Sequence, residues 1–436
     1  MTDGRMRPWV FMAEFWFDRL DQRGIDYFLD GWQDAGYETV MFGRLDLRDG
    51  EKVYPSFAPD RSLYRDTTLE PPEMPAHLAP AAERLKRAMA AVKERGLGVC
   101  LFSPDPYLAV VPEGGAAYAP TSPDAEAYYH ARVRDAYQNY PMADRILMDG
   151  PEWSYEPEIF EFRQKTIFNE LDGASGSARA AAAELGYDFD LIRASLGRLR
   201  ERLGRLREDE LRRLLLSQKG AFDGVDLLLL DRGLWQWFAF RHETMERFMG
   251  RLRGVVRELS PSLQLGLGPR LPSWARITGC SLKTISRVTD FQAPKVYLWK
   301  GGFDGYYGTL ARYVDFVMSN NPDLPGDLVL QVLYRLLGIE MPDVRAVGAL
   351  QKEFPQSYFD VTLVGEIKKI EADVGSLENI VPYVEVGPHP HAGEPISNDE
   401  LRSIVAAMQR AGLSRFIHYW HGQFDEEVAV VREFTR

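Results

Sequence analysis

Apolar residues recur along this chain as short continuous runs, each followed by a longer stretch whose apolar positions repeat at helical spacing. Runs rich in Val, Ile, Leu and Phe without polar alternation suit strands buried on both faces, and the longer stretches suit amphipathic helices laid over them. This pattern predicts strands over 7–17, 39–47, 98–103, 144–148, 263–267, 291–299, 380–386 and 415–420. It predicts helices over 21–35, 76–95, 123–140, 234–259, 306–319, 357–374 and 398–411, while 328–338 reads equally as helix or strand. Strand and helix alternating at this spacing mean βα units and a parallel sheet. Strand centres at Val10, Val40, Val99, Ile146, Leu265, Val296, Val384 and Ile417 give about eight repeats, the number that closes a barrel. The expected fold is α/β, a (β/α)8 TIM barrel over 1–436 as one domain.

The rhythm breaks between Glu156 and Asp231, which reads as a helical insertion after the fourth strand. Its basic part, from Arg193 to Arg213, keeps Leu at helical spacing between Arg and Glu. Such a helix lays an apolar stripe on the body or on another chain, so the insertion is the expected face for a homo-oligomer.

Composition narrows the partners. A net charge of −12 argues against nucleic acid, because a phosphate backbone is bound by clustered Lys and Arg. No stretch approaches the length of a membrane span, and the opening residues are too mixed for a signal peptide, so a cytoplasmic protein is expected. Two cysteines, Cys100 and Cys280, imply no disulfide framework, and no nucleotide-binding glycine fingerprint calls for a cofactor.

A parallel barrel gathers its chemistry at the carboxyl ends of its strands. The residues just past each predicted strand are Glu14 and Trp16, then Arg44, then Asp105, then Asp149, Glu152 and Trp153 in the run I-L-M-D-G-P-E-W. Arg270 follows the fifth strand, Lys295, Tyr297 and Trp299 belong to the sixth, Glu385, His389 and His391 to the seventh, and His418, Trp420 and His421 to the eighth. Aromatic faces stack on the C–H faces of sugar rings while carboxylates and Arg bond the hydroxyls, so this mixture suits a carbohydrate.

In this respect the chain resembles the clan A glycoside hydrolases, (β/α)8 barrels with an acid/base Glu after the fourth strand and a nucleophilic Glu at the end of the seventh. Glu152 and Glu385 fall in those places, and Arg44, Tyr297 and Trp420 match the clan's Arg, Tyr and Trp after the second, sixth and eighth strands. The clan places Asn before its acid/base Glu, whereas here the neighbour is Pro151, which leaves Asp149 as a rival. The resemblance implies a glycosidase acting on an oligosaccharide or glycoside, retaining if its carboxyl groups stand about 5 to 5.5 Å apart and inverting at about 6.5 to 9.5 Å. It implies Glu385 as nucleophile, Glu152 as acid, and no metal.

Two other classes stay open. The clusters His389/His391 and His418/His421 with Asp149 or Glu152 could serve a metal-dependent sugar isomerase or epimerase. A barrel that binds carbohydrate without cleaving it would carry the same aromatic residues.

Overall fold

The computed structural model describes residues 5–12, 22–50, 52–71, 73–103, 120–160, 165–173, 175–217, 221–298, 300–301, 305–385, 396–419 and 424–436. Strand β1 (Trp9–Met12) lies between β2 (Thr39–Phe42) and β11 (Ile417–Tyr419), parallel to both. A hairpin of β3 (Asp46–Asp49) and β4 (Lys52–Pro55) stands apart from this sheet. The sheet continues through β5 (Gly98–Phe102), β6 (Arg145–Met148) and β7 (Gln264–Leu267) to β8 (Phe291–Gln292). At its other end β11 pairs with β10 (Tyr383–Glu385), and β10 pairs with β9 (Lys295–Val296).

The two ends of this nine-stranded sheet are therefore two pieces of one segment, parted at Ala293 and Pro294. The Ala293 N–H donates to Leu267 O at 2.8 Å on one side, and Tyr383 N–H donates to Pro294 O at 2.8 Å on the other. Pro294 has no N–H to give, which is why the segment divides there. Counted as one strand, 291–296 closes the sheet into the eight-stranded barrel that the apolar pattern predicts. The segments around Met6 and Phe434 meet on its wall, where Met6 N–H donates to Phe434 O at 2.9 Å.

Aromatic rings fill the axis. Phe11 of β1 lies 4.8 Å from Phe102 of β5, 4.2 Å from Tyr419 and 6.3 Å from Tyr383, contacts that join β1 to its neighbour β11 and, across the interior, to its second neighbours β5 and β10. Lower down, Trp9 meets Phe291 at 5.3 Å. Gly266 makes room for that ring, since a Cβ there would stand 2.3 Å from it.

Two predicted strands differ, and one segment left open takes a definite form. The strand expected over 39–47 stops at Phe42, because the chain turns at Gly43–Leu45 and enters the hairpin. The strand expected over 291–299 is divided as described. The ambiguous 328–338 is a helix, Gly326–Leu337, ended by Gly338 at φ 66°. Between β6 and the long helix Arg232–Leu259 the described residues form the helices Glu170–Gly173, Ser175–Leu185, Phe189–Leu203, Glu208–Leu216 and Ala221–Leu228. Among the described residues no helix is long and apolar enough to cross a membrane.

Candidate active site at the carboxyl ends of the strands

Strand β6 is apolar to its last residue and delivers Asp149 directly to the mouth of the barrel. The Asp149 N–H donates to Ser103 Oγ at 3.1 Å, and the Ser103 N–H donates to Leu147 O at 2.7 Å, so the ends of β5 and β6 hold each other. Lys295 Nζ stands 2.6 Å from Asp149 Oδ1, and Arg44 Nη2 stands 3.9 Å from Oδ2. The Lys295 side chain is 4% exposed, whereas that of Asp149 is 20% exposed, so the carboxylate is the member of the pair that solvent reaches. Tyr297 lies 6.3 Å from Tyr383, and burial pushes the Tyr383 hydroxyl well above its usual range, with Tyr297 and Asp149 adding to the effect. Tyr383 therefore keeps its proton.

Backbone strain gathers here. Ser103 at φ 39°, Arg44 at φ 26° and Leu45 at φ 53° all occupy the left-handed region without being glycine. Leu45 N–H bonds back to Gly43 O across Arg44, a three-residue turn that side chains adopt at a cost. Strain of this kind persists where the surrounding structure fixes a residue's direction, and it places Arg44 beside Asp149.

Glu152 takes a different place. Gly150, at φ 67°, turns the chain, and the Glu152 side chain is 3% exposed with Arg270 Nε 2.9 Å from Oε1. Arg270 is 5% exposed and lies over the Tyr155 ring at 4.5 Å. Glu152 Oε2 is buried with no hydrogen-bond partner among the described residues. The residue expected as the acid is thus shut beneath the mouth in an ion pair. Trp153, expected as a sugar platform, is buried too: its Nε1 donates to Thr244 Oγ1 at 3.1 Å and its ring meets Phe240.

The rest of this loop is pinned by further carboxylates. Glu156 accepts from Arg312 at 2.8 and 2.6 Å, and Glu170 accepts the Ser154 N–H at 2.8 Å with Arg241 at 3.3 Å. Arg241 and Glu170 are fully buried, and desolvation outweighs their attraction, lifting the Glu170 carboxyl to about 7 from its ordinary 4.5. A carboxyl that holds its proton more tightly in the folded chain stabilises the fold below pH 4.5, and that contribution is lost as pH climbs to 7. The loss is on the order of 3 kcal/mol. Calorimetric melts between pH 5 and 8 should show a decline in stability that is shallower in Glu170→Gln; an identical decline in both proteins would contradict this assignment.

His418 also lies away from the mouth. Its Nδ1 is 2.7 Å from Tyr37 Oη and its Nε2 is 3.0 Å from Glu427 Oε2, behind β11 and fully buried. Glu385 ends β10, in register with Tyr419. Glu14, Trp16, Asp105, Trp299, His389, His391, Trp420 and His421 lie outside the described residues. Among the described residues no group of three or more His, Cys, Asp or Glu could hold a metal ion. The reading of strand ends named Asp149, Lys295 and Arg44 separately. It missed Ser103, for which the run S-P-D-P-Y was the signal.

No protein-family model matches the chain, and no curated protein matches it in sequence. Among solved structures it is similar to the PgaB (BpsB) glycoside hydrolase domain from Bordetella bronchiseptica, at TM-score 0.53 and 13% identity over 99% of each chain. The chain shares the barrel fold of that domain. A β-galactosidase from the haloarchaeon Halorubrum lacusprofundi is similar at TM-score 0.49 and 14% identity over 98% of this chain and 58% of that one. An endo-beta-1,4-mannanase from Thermotoga petrophila is similar at TM-score 0.44 and 10% identity, over 99% and 75%. Within this barrel, Asp149, Lys295 and Arg44 form one group at the mouth, Tyr297 packs against Tyr383, and Glu152 and Trp153 are buried. A carboxylate flanked by two cations is favoured in its ionised form and can face a positive charge that develops in a substrate.

Proposed function

We propose that the protein is a glycoside hydrolase that cleaves an oligosaccharide or glycoside, with Asp149 and Glu385 as its carboxyl groups and retention as the preferred outcome. The observation that carries this reading is Asp149, bracketed by Lys295 at 2.6 Å and Arg44 at 3.9 Å yet open to the mouth. An ionised carboxylate there is suited to attack the anomeric carbon, or to stabilise the oxocarbenium-like transition state. The proton for the leaving oxygen must then come from another group, and Glu385, at the end of β10, is the carboxyl group assigned to it. This reverses the roles that the clan A resemblance implies, because Glu152 is closed off by Arg270.

Arg44, Lys295 and Tyr297 are assigned to hold Asp149 and the sugar hydroxyls. Glu14, Trp16, Asp105, Trp299, Trp420, His389, His391 and His421 remain assigned to substrate contact from their positions in the sequence. The test is a panel of aryl glycosides and oligosaccharides of both anomeric series, followed by reducing-end release and by NMR of the first-formed anomer. Release from at least one class, with configuration retained, is expected. Tight sugar binding without release from any class would instead mean a carbohydrate-binding barrel.

A further inference from the structure

The opposite end of the barrel holds a polar cleft of about 460 Å³ at the starts of β2, β5, β6 and β7, lined by Glu38, Thr39, Lys93, Gly98, Asp144 and Arg145 among others. Its charges are unevenly matched. Glu38 accepts from Arg415 Nε and from Trp9 Nε1, both at 2.8 Å. Asp144 is held by Lys93 and by the Val99 N–H at 2.9 Å. Arg145 forms no ion pair among the described residues; its Nη1 donates to Thr39 Oγ1 at 3.3 Å, and its guanidinium lies over the Trp9 ring at 5.0 Å.

Gly98 is what lets the guanidinium lie there. A Cβ at that position would stand 2.6 Å from Arg145 Nη1 and 2.8 Å from Thr39 Oγ1. A planar guanidinium fixed on an indole face presents its fork in one orientation, which is the geometry that pairs two oxygens of a carboxylate or phosphate. Partial burial strengthens such a pair relative to open water.

We propose that this cleft is a binding site for a small oxyanion of the phosphate or carboxylate type, taken by Arg145 with Lys93 at its edge. The site is separate from the mouth and does not rest on the glycosidase reading. The probe is inorganic phosphate, titrated calorimetrically into the whole protein at low ionic strength. One saturable site per chain is expected, weakened at least tenfold in Arg145→Gln and by less in Lys93→Gln. Gly98→Ala, which keeps every charge but crowds the guanidinium, should weaken it too. Arg44→Gln, at the far end of the barrel, should leave it unchanged. No saturable uptake, or an affinity that Arg145→Gln does not alter, overturns the proposal. Should Arg145→Gln fail to fold, an unaltered affinity in Lys93→Gln does the same, since Lys93 is half exposed on a helix and its loss leaves the barrel intact. Binding abolished by Arg44→Gln alone would place the anion at the mouth.

Discussion

Asp149→Asn should lower kcat on the best glycoside roughly a hundred- to a thousandfold, the size of effect seen when one preorganised electrostatic group at a reacting centre is removed. Asn keeps the shape of Asp and can still receive a hydrogen bond from Lys295, so the variant removes charge with little change of form. The loss should fall on kcat more than on KM, because the positive charge it opposes develops only in the transition state. Glu385→Gln should cost a similar factor, with the larger part lost on substrates whose leaving group needs a proton and less on activated aryl glycosides. Steady-state kinetics of both variants decide the matter. Activity within tenfold of the parent in either one removes that residue from the chemistry.

Glu152→Gln should act on stability instead. The Glu152 and Arg270 side chains are 3% and 5% exposed, and removing one partner of such a pair takes compensating charge away from the other. The expected cost is about 3 to 5 kcal/mol, read from denaturant melts. Replacing both partners by Leu should recover much of it, since burial of an ion pair costs desolvation that apolar side chains do not incur. The folded fraction of Glu152→Gln should keep its activity within tenfold. A loss comparable to that of Asp149→Asn, with stability unchanged, would return Glu152 to the role of acid and displace Asp149.

The contrast between these two carboxylates shows how far the sequence could be read. The barrel was legible because its strands are buried on both faces and therefore nearly pure apolar runs, as in I-L-M before Asp149. The hairpin was not, because Asp46 and Leu47 read on as the end of the strand that starts at Thr39, and the charged Arg48 and Asp49 read as the loop after it. That Asp149 and Lys295 would meet follows only from closure of the barrel, which brings the fourth and sixth strands to a common mouth. The burial of Glu152 depends on the turn at Gly150, a dihedral choice that no residue count reveals. His418 is the case where more could have been inferred. In I-H-Y the middle residue must face away from its neighbours, and Tyr419 points to the axis against Phe11. His418 consequently faces the helices, where Tyr37 and Glu427 receive it.

The meeting of Met6 with Phe434 on the barrel wall has its own consequence. In a closed ring of strands no position along the backbone is privileged as a beginning, so the order in which the units are joined is separable from the shape they make. A short peptide bridging these two segments, with a new opening cut in a surface connection such as that between helices Phe189–Leu203 and Glu208–Leu216, where Arg205 and Arg207 are exposed, would give a circularly permuted chain with the same ring and the same two faces.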